Sequence, residues 1–315
     1  MKELFHHCLS VEKTPEGWIP RHFTLKQLDY YSALSEFAGI RARCCSGITL
    51  DFSSDAQELS LSFLAEGFCR GWLAFDLFEN GRFLHSAAYS EPVSSGRAVF
   101  RREQGGKAHF TIHLPYSCQI TVTDFDFGRF SPEEPDKKGL LWCLGDSITQ
   151  GMEARYPSQT FAALLGETLQ MNVLNLGIGG SGFKDLCLDF DGLPKPDAVL
   201  VAHGTNDGPY ALENWEDYVR RAALCIDRIR EAAAGAPVTL VSPFWRGDLA
   251  KSGLLEIMLR IRSLLREQAD RAGFRFIDGL TVLPHEPAFC GDGFLHPNDL
   301  GFSVCARILS SQLAR

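Results

Sequence analysis

Apolar and polar positions follow two different patterns along this chain. In the first pattern, residues 48–130 carry short apolar runs that alternate with polar residues, as in 59–63 and 119–123, and turn signals such as Asn80-Gly81 separate the runs. Short alternating runs predict β-strands, and an Asn-Gly pair between two apolar runs predicts a hairpin. Strands at this spacing are typical of an all-β sandwich.

A second pattern begins after residue 139. Apolar runs that predict buried strands lie at 140–144, 171–176, 198–202, 238–241 and 274–277. Longer segments with apolar residues at helical spacing lie near 157–170, 213–234, 253–272 and 299–313. Strands that alternate with helices predict a parallel sheet with helices on both faces, and sites in such sheets collect at the carboxyl ends of the strands.

The segment between the two patterns, 131–139, is polar, contains two prolines and has no periodicity. We interpret it as an interdomain linker. The predicted organisation is therefore a β-sandwich domain over residues 1–130, this linker, and an α/β domain over residues 140–315. With 315 residues, of which 45% are hydrophobic, the chain can bury two cores.

Charge and composition narrow the possible partners. The formal net charge is −8, and the basic residues are scattered rather than arranged in a stripe. We therefore expect neither nucleic acid nor a membrane surface among the partners. The first residues contain no apolar segment typical of a signal peptide, and no apolar run reaches the length of a membrane span. The expected location is the cytoplasm.

The positions of the cysteines and histidines indicate neither disulfides nor a metal site. The ten cysteines contain no C-x-x-C pair, and most of them lie inside apolar runs. This pattern favours reduced thiols that pack as small apolar residues. His109 and His113 share one face of a predicted strand, but no third metal ligand accompanies them, so we expect no metal site.

One serine occupies a position suited to catalysis. Gly145-Asp146-Ser147 directly follows the predicted strand 140–144 and precedes a predicted helix. A side chain at this carboxyl edge is exposed, and the backbone N–H groups at the start of the helix point at whatever binds there. Ser147 is therefore a candidate nucleophile.

Other segments carry the groups that a serine nucleophile needs. An imidazole must take the hydroxyl proton, a carboxylate orients the imidazole, and hydrogen-bond donors stabilise the oxyanion. His296 and Asp292, just before the last predicted helix, can supply the first two. Gly180 and Asn206, after the second and third strands, can supply the donors. Gly179 is an alternative to Gly180, because the sequence does not fix which N–H points inward.

These residues lie in the order of the four sequence blocks of the SGNH (GDSL-type) hydrolases. The blocks are Gly145-Asp146-Ser147, Gly180, Gly204-Thr205-Asn206-Asp207 and His296, and the resemblance covers residues 139–315. It implies that Ser147 is the nucleophile and His296 the base, with an oxyanion hole made by the Ser147 N–H, the Gly180 N–H and the Asn206 side chain. It also implies a flavodoxin-like three-layer α/β/α fold and no metal or organic cofactor.

The β-rich segment before these blocks resembles, in architecture alone, the amino-terminal jelly roll of two-domain carbohydrate esterases in the same superfamily. We therefore expect a serine esterase that removes a short acyl group, acetyl above all, from a small-molecule or oligosaccharide ester. A lipase or thioesterase is the second hypothesis, although the chain has no long apolar lid segment. A carbohydrate-binding protein without activity is the third.

The spacing of Asp292 and His296 departs from the family pattern. The family usually places the aspartate three residues before the histidine, and here the two are four residues apart. Gly293 can adopt backbone angles that absorb the extra residue and leave Asp292 in contact with His296. Alternatively, a backbone carbonyl orients His296 and Asp292 caps a turn. The sequence leaves both arrangements open.

Two further residues at predicted strand ends are candidates for substrate binding. Trp245 follows the fourth strand and is either a platform for a sugar ring or a core residue. His203 follows the third strand and either contacts the substrate or packs within the protein. We interpret Asp146 and Asp207 as capping residues rather than catalytic groups.

Overall fold

The structure is a computed structural model that describes residues 1–103 and 105–313. The chain divides into two compact units. The first consists of Met1–Lys137 with Arg155–Ser158, and the second consists of Lys138–Ala154 with Gln159–Arg315.

Two antiparallel sheets form the framework of the first unit. The six-stranded sheet contains, in spatial order, β1 (Phe5–His6), β4 (Thr49–Ser54), β9 (Ala108–His113), β6 (Leu73–Glu79) and β7 (Arg82–Tyr89), with β11 (Phe130–Pro132) also paired to β4. The five-stranded sheet contains β2 (Ser10–Lys13), β3 (Trp18–Arg21), β10 (Gln119–Asp126), β5 (Glu58–Glu66) and β8 (Ser95–Arg101). Side chains from both sheets share one hydrophobic core, in which Phe52, Phe63 and Phe110 are buried. The predicted β-sandwich is confirmed.

Asn80 and Gly81 form the two-residue turn between β6 and β7. Their φ angles are both positive, 49° for Asn80 and 76° for Gly81. A type I′ turn requires positive φ at both central residues, and its twist matches that of the strands it joins. The predicted hairpin is therefore present, and its turn residues explain why it forms.

Two helices of the first unit, α1 (Leu25–Leu34) and α2 (Glu36–Arg43), lie outside the strand pattern that the sequence predicts. Thr24 begins α1 with a capping box: its hydroxyl accepts the Gln27 N–H at 3.2 Å, and the Gln27 side chain accepts the Thr24 N–H at 3.0 Å. Ser35 caps α2 with its hydroxyl. A threonine followed three residues later by glutamine is a helix-start signal, so the sequence does contain a mark of α1.

One parallel sheet of five strands forms the centre of the second unit. Its spatial order is β13 (Asn172–Gly177), β12 (Leu140–Gly145), β14 (Ala198–Ala202), β15 (Val238–Val241) and β16 (Arg275–Ile277). Numbered within this unit, the order is 2-1-3-4-5, which is that of flavodoxin-like folds. Each strand overlaps one of the predicted apolar runs, and the predicted α/β fold is confirmed.

Helices flank this sheet. They are α3 (Ser147–Gln150), α4 (Phe161–Leu169), α5 (Gly208–Glu213), α6 (Trp215–Ala233), α7 (Leu249–Ser252), α8 (Leu255–Ala272) and α9 (Asp299–Leu313). Short 3-10 helices lie at Lys2–Leu4, Pro157–Gln159, Gly279–Thr281 and Pro287–Phe289. Over the described part of the chain, no helix has both the length and the apolar character that crossing a membrane requires.

The order of the strands brings three loops to one edge of the sheet. Strand β12 lies between β13 and β14, with Gly145 opposite both Gly177 and Ala202. Because the three strands are parallel, the loops that follow them leave the sheet at the same carboxyl edge. In open α/β sheets this reversal of strand order creates the crevice in which ligands bind.

Candidate active site

Ser147 is the first residue of α3, immediately beyond the end of β12. The preceding residue, Asp146, caps this short helix, because its Oδ1 accepts the Ile148 N–H at 2.9 Å. Gly145 has a steric role, since a Cβ atom at this position would lie 1.9 Å from Thr149 Oγ1. The helix can therefore turn directly off the strand only when residue 145 has no side chain. The Ser147 side chain is fixed in place by this turn.

His296 and Ser147 are hydrogen-bonded although 149 residues separate them in sequence. The distance between His296 Nε2 and Ser147 Oγ is 2.8 Å. On the other side of the ring, His296 Nδ1 lies 2.7 Å from Asp292 Oδ2. A ring with Nδ1–H donated to a carboxylate has its Nε2 lone pair free to accept the serine proton. The structure thus brings together three residues that the sequence predicted for one site.

The loop that contains Asp292 accommodates the unusual spacing. Asp292 Oδ1 accepts the N–H groups of Phe294, Leu295 and His296 at 3.1, 2.9 and 3.1 Å. Gly293 has a φ of 80°, in the left-handed region that glycine adopts without strain. The carboxylate therefore faces the imidazole, and of the two arrangements left open by the sequence, the structure has the direct contact.

Opposing effects act on the Asp292 carboxyl group. Burial acts to raise its pKa, but the N–H donors of Leu295 and Phe294 and the His296 ring outweigh burial, so the pKa of Asp292 lies below its ordinary value. These donors stabilise the charged form. Asp292 is consequently held as a carboxylate that faces His296 Nδ1.

The N–H groups that follow β12, β13 and β14 differ in whether the protein itself engages them. The Gly179 N–H donates to Gln150 Oε1 at 2.8 Å, which engages it within the protein. Among residues 1–103 and 105–313, no acceptor lies within hydrogen-bond distance and angle of the N–H of Gly180 or of Ser147. Asn206 Nδ2 donates to Ser181 O at 3.0 Å, and this bond orients the amide. The contact made by Gly179 favours Gly180 over Gly179 as a donor to a ligand.

The two aspartates interpreted as caps differ in what they do. Asp146 caps α3, as expected, and burial raises its pKa to about 6 even though the Ile148 N–H acts to lower it. Asp207 stands at the start of α5 but makes no side-chain cap there. It instead accepts the Phe183 N–H at 3.1 Å, and burial raises the pKa of Asp207 to about 7. Asp207 therefore fixes the loop after β13 rather than capping α5.

The two candidates for substrate binding lie in different environments. His203 is 1% exposed, its ring packs 5.6 Å from the ring of Phe183, and burial lowers the pKa of His203 to about 4. It therefore presents almost no surface to a ligand. Trp245 is half-buried, just beyond β15, and stacks on His285 with ring centres 5.7 Å apart.

Arg246 also lies near this edge, although the sequence pattern did not predict it as a site residue. Its Nη1 donates to Thr205 O at 3.0 Å, and its Nε and Nη2 donate to the two Asp248 carboxylate oxygens at 2.9 and 2.7 Å. The Arg246 side chain thus fixes the residue before Asn206. Its position in the loop that follows β15, at the carboxyl edge, is the signal that the sequence offers.

No metal centre accompanies these residues. Within the part of the chain that the structure describes, no group of three or more His, Cys, Asp or Glu side chains is placed to hold a metal ion.

The strand order and the serine that follows the first strand place the second unit in the class of SGNH-type α/β folds. Residues 143–304 match the sequence model of the GDSL-like lipase/acylhydrolase family. The chain belongs to this family. Comparison with curated protein sequences gave no match.

Several solved structures share the fold. The salicylyl-acyltransferase SsfX3 from a tetracycline biosynthetic pathway superimposes with a TM-score of 0.75 at 17% identity, over 98% of this chain and 93% of that protein. An active-site mutant of a family two carbohydrate esterase from Clostridium thermocellum gives 0.69 at 16% identity, over 98% and 97% of the two chains. The acetyl xylan esterase Est2A from the rumen bacterium Butyrivibrio proteoclasticus gives 0.59 at 16% identity, over 85% and 88%. At these identities the likeness establishes the fold.

Proposed function

We propose that this protein is a serine esterase that hydrolyses short acyl esters, acetyl esters above all, on a carbohydrate. The observation that carries the proposal is the hydrogen-bonded series from Ser147 through His296 to Asp292, with contacts of 2.8 and 2.7 Å. A serine hydroxyl becomes an effective nucleophile when an oriented imidazole can take its proton. Membership in the GDSL-like lipase/acylhydrolase family supports hydrolysis as the class of reaction.

The reaction proceeds in two halves. Ser147 Oγ attacks the ester carbonyl carbon while His296 Nε2 takes the hydroxyl proton, and the proton then passes to the oxygen of the departing alcohol. The acyl group remains on Ser147. In the second half His296 takes a proton from water, the resulting hydroxide attacks the acyl group, and Ser147 regains its proton as the carboxylic acid leaves. Asp292 accepts the Nδ1–H throughout, which fixes the tautomer and stabilises the imidazolium.

Three donors stabilise the oxyanion that forms in each half-reaction. They are the N–H groups of Ser147 and Gly180 and the second N–H of the Asn206 amide. The contact between Asn206 and Ser181 supports this role, because one amide hydrogen is bonded there and the amide is held in one orientation. Loss of one such donor costs roughly 3 kcal/mol of transition-state stabilisation in an enzyme where it has been measured.

The assignment of a carbohydrate substrate and of an acetyl group rests on separate observations. Proteins with this fold include a family two carbohydrate esterase and an acetyl xylan esterase. Trp245 lies after β15, at the carboxyl edge that also carries Ser147, and keeps part of its surface exposed. His285 stacks on one face of the Trp245 ring, so the opposite face is the one proposed to pack against a sugar ring. We therefore assign Trp245 as the sugar platform and leave His203 out of the site.

A series of substrates tests the proposed function. Hydrolysis of p-nitrophenyl acetate, butyrate and octanoate is compared with release of acetate from an acetylated xylo-oligosaccharide. We expect kcat/KM to fall from acetate to octanoate, and Ser147→Ala to abolish all four reactions. The exposed Ser263→Ala provides the matched control and should retain full activity. A kcat/KM that rises with chain length would indicate a lipase or thioesterase, and no turnover by the folded chain would indicate a binding protein.

A further inference from the structure

Two cysteine sulfur atoms lie in contact within the first unit. Cys44 Sγ is 3.8 Å from Cys69 Sγ. Cys44 follows the end of α2 and is buried, whereas Cys69 lies between β5 and β6 and is half-buried. A disulfide requires sulfur atoms about 2.05 Å apart. The two sulfur atoms would therefore have to move less than ~2 Å closer together to form a bond.

Backbone hydrogen bonds hold both cysteines against the same turn. The Cys69 N–H donates to Ser117 O at 2.8 Å. The N–H of Cys45, the residue after Cys44, donates to Cys118 O at 3.1 Å. The proximity of the two sulfur atoms is therefore fixed by the backbone of three segments and does not depend on a side-chain rotamer alone.

The surroundings of the two thiols make them chemically different. A hydrogen bond from the Cys44 thiol lowers the pKa of Cys69 despite burial, and the positive charges of Arg70 and Arg41 lower it further. The same contact, together with burial, raises the pKa of Cys44 well above its usual range. Because the thiolate is the nucleophilic form of cysteine, Cys69 is the reactive member and Cys44 the protonated partner.

We propose that Cys69 and Cys44 form a peroxide-reactive pair that closes to an intramolecular disulfide. The Cys69 thiolate attacks one oxygen of hydrogen peroxide, the O–O bond breaks, and hydroxide leaves, so that Cys69 becomes a sulfenic acid. The Cys44 sulfur then attacks the Cys69 sulfur. The S–O bond breaks, and the hydroxyl group leaves as water with the proton of the Cys44 thiol. Two thiols and one peroxide thus give one disulfide and two waters.

Other cysteines of this chain provide an internal comparison. Burial raises the pKa of Cys143 and of Cys225 to about 12, and that of Cys290 to about 11. These thiols are protonated and enclosed, which makes them slow to react with peroxide. We therefore expect peroxide to oxidise Cys69 faster than Cys143, Cys225 or Cys290.

Peptide mapping of the full chain tests the pair. The chain is treated with hydrogen peroxide, the remaining thiols are capped, and the protein is digested without reductant. Trypsin alone leaves both cysteines in one peptide, because residues 44–69 contain no Lys or Arg. A second protease that cleaves after Glu58 and Glu66 separates them. We expect fragment 44–58 to be joined to fragment 67–70, and the link to disappear on reduction.

Variants assign the link, since Cys45 lies in the same fragment as Cys44. Cys45→Ala should keep the link. Cys44→Ser should lose it and should leave a sulfenic acid on Cys69 that dimedone traps, because the serine hydroxyl can still donate a hydrogen bond to Cys69 but cannot form the disulfide. Circular dichroism checks that each variant is folded. The proposal is overturned if the link survives in Cys44→Ser, if Cys69 joins a different peptide, or if peroxide treatment of the natural chain leaves Cys69 unmodified.

Discussion

Asp292 contacts His296 across a spacing of four residues, with 2.7 Å between Asp292 Oδ2 and His296 Nδ1. The other carboxylate oxygen accepts three consecutive backbone N–H groups, those of residues 294 to 296. One side chain therefore organises its own loop and orients the imidazole that is hydrogen-bonded to Ser147. The extra residue relative to the usual family spacing is absorbed at Gly293, whose φ is 80°.

This arrangement predicts a large effect of Asp292→Asn on catalysis. The amide would present an N–H to Nδ1 and so would force the ring hydrogen onto Nε2, which could then no longer accept the Ser147 proton. We expect kcat/KM to fall by far more than tenfold, and a loss of ~10⁴ on the equivalent change in a serine protease sets the scale. Steady-state kinetics on p-nitrophenyl acetate provides the measurement.

His296→Ala is the reference for that experiment. It removes the base altogether and should be inactive. The contradicting result would be an inactive His296→Ala variant together with an Asp292→Asn variant whose kcat/KM is within a few-fold of that of the natural enzyme. Ser147 and His296 would then act as a dyad, and the proposed role of Asp292 would be wrong.

Asn206→Ala should act on turnover rather than on binding. The Asn206 amide is oriented by Ser181 O, and its proposed partner, the oxyanion, exists only along the reaction path. We expect kcat to fall by roughly 10²–10³ with little change in KM. A change confined to KM would make Asn206 a group that binds the ground state of the substrate.

Much of the second unit could be predicted from the sequence because its strands are buried on both faces. Continuous apolar runs mark such strands, and the runs predicted at 140–144 and 198–202 coincide with β12 and β14. The helices α1 and α2 were missed, since much of their surface is exposed and no clear apolar stripe marks them. Only the cap at Thr24 identifies α1.

Details of the site depend on contacts between distant segments, which the sequence does not contain. Gln150, which lies on α3, engages the Gly179 N–H, and this contact favours Gly180 over Gly179 as the proposed donor. Arg246 was missed for the same reason, because its contact with Thr205 joins the ends of two different strands. Residue types and their order are enough to predict which residues form the site. The direction in which each N–H points can be seen only in the structure.

Gly145→Ala should destabilise the second unit. The new methyl group would lie 1.9 Å from Thr149 Oγ1 and 3.0 Å from Ala202 O, so α3 or β14 would have to move. Overpacking of this kind costs about 1–3 kcal/mol. Gly71→Ala is the matched control, because a Cβ there meets nothing within 4 Å. Thermal unfolding should show a lower Tm for Gly145→Ala alone, and equal Tm values for the two variants would contradict the steric role of Gly145.

The buried carboxyl group of Asp207 predicts a pH-dependent stability. Its pKa in the folded chain is about 7, against an ordinary value of 3.8. Between these pH values the folded chain holds a proton that the unfolded chain releases, so this stability is lost as the pH rises from 3.8 through about 7. Asp207→Asn removes the titration. The Tm of the variant, measured relative to the natural chain, should therefore increase from about pH 5 to about pH 8. A difference that stays constant over this range would contradict burial as the cause.

Mapping the site of reaction with a fluorophosphonate probe tests whether Ser147 is a nucleophile activated by His296. Such a probe reacts with a serine that a neighbouring base has activated, whatever the natural substrate. We expect one phosphonyl group per chain, located on Ser147 by peptide mapping, and none on folded Ser147→Ala or His296→Ala. A label on another residue, or a natural chain that stays unlabelled, would contradict the assignment of Ser147 as a nucleophile activated by His296.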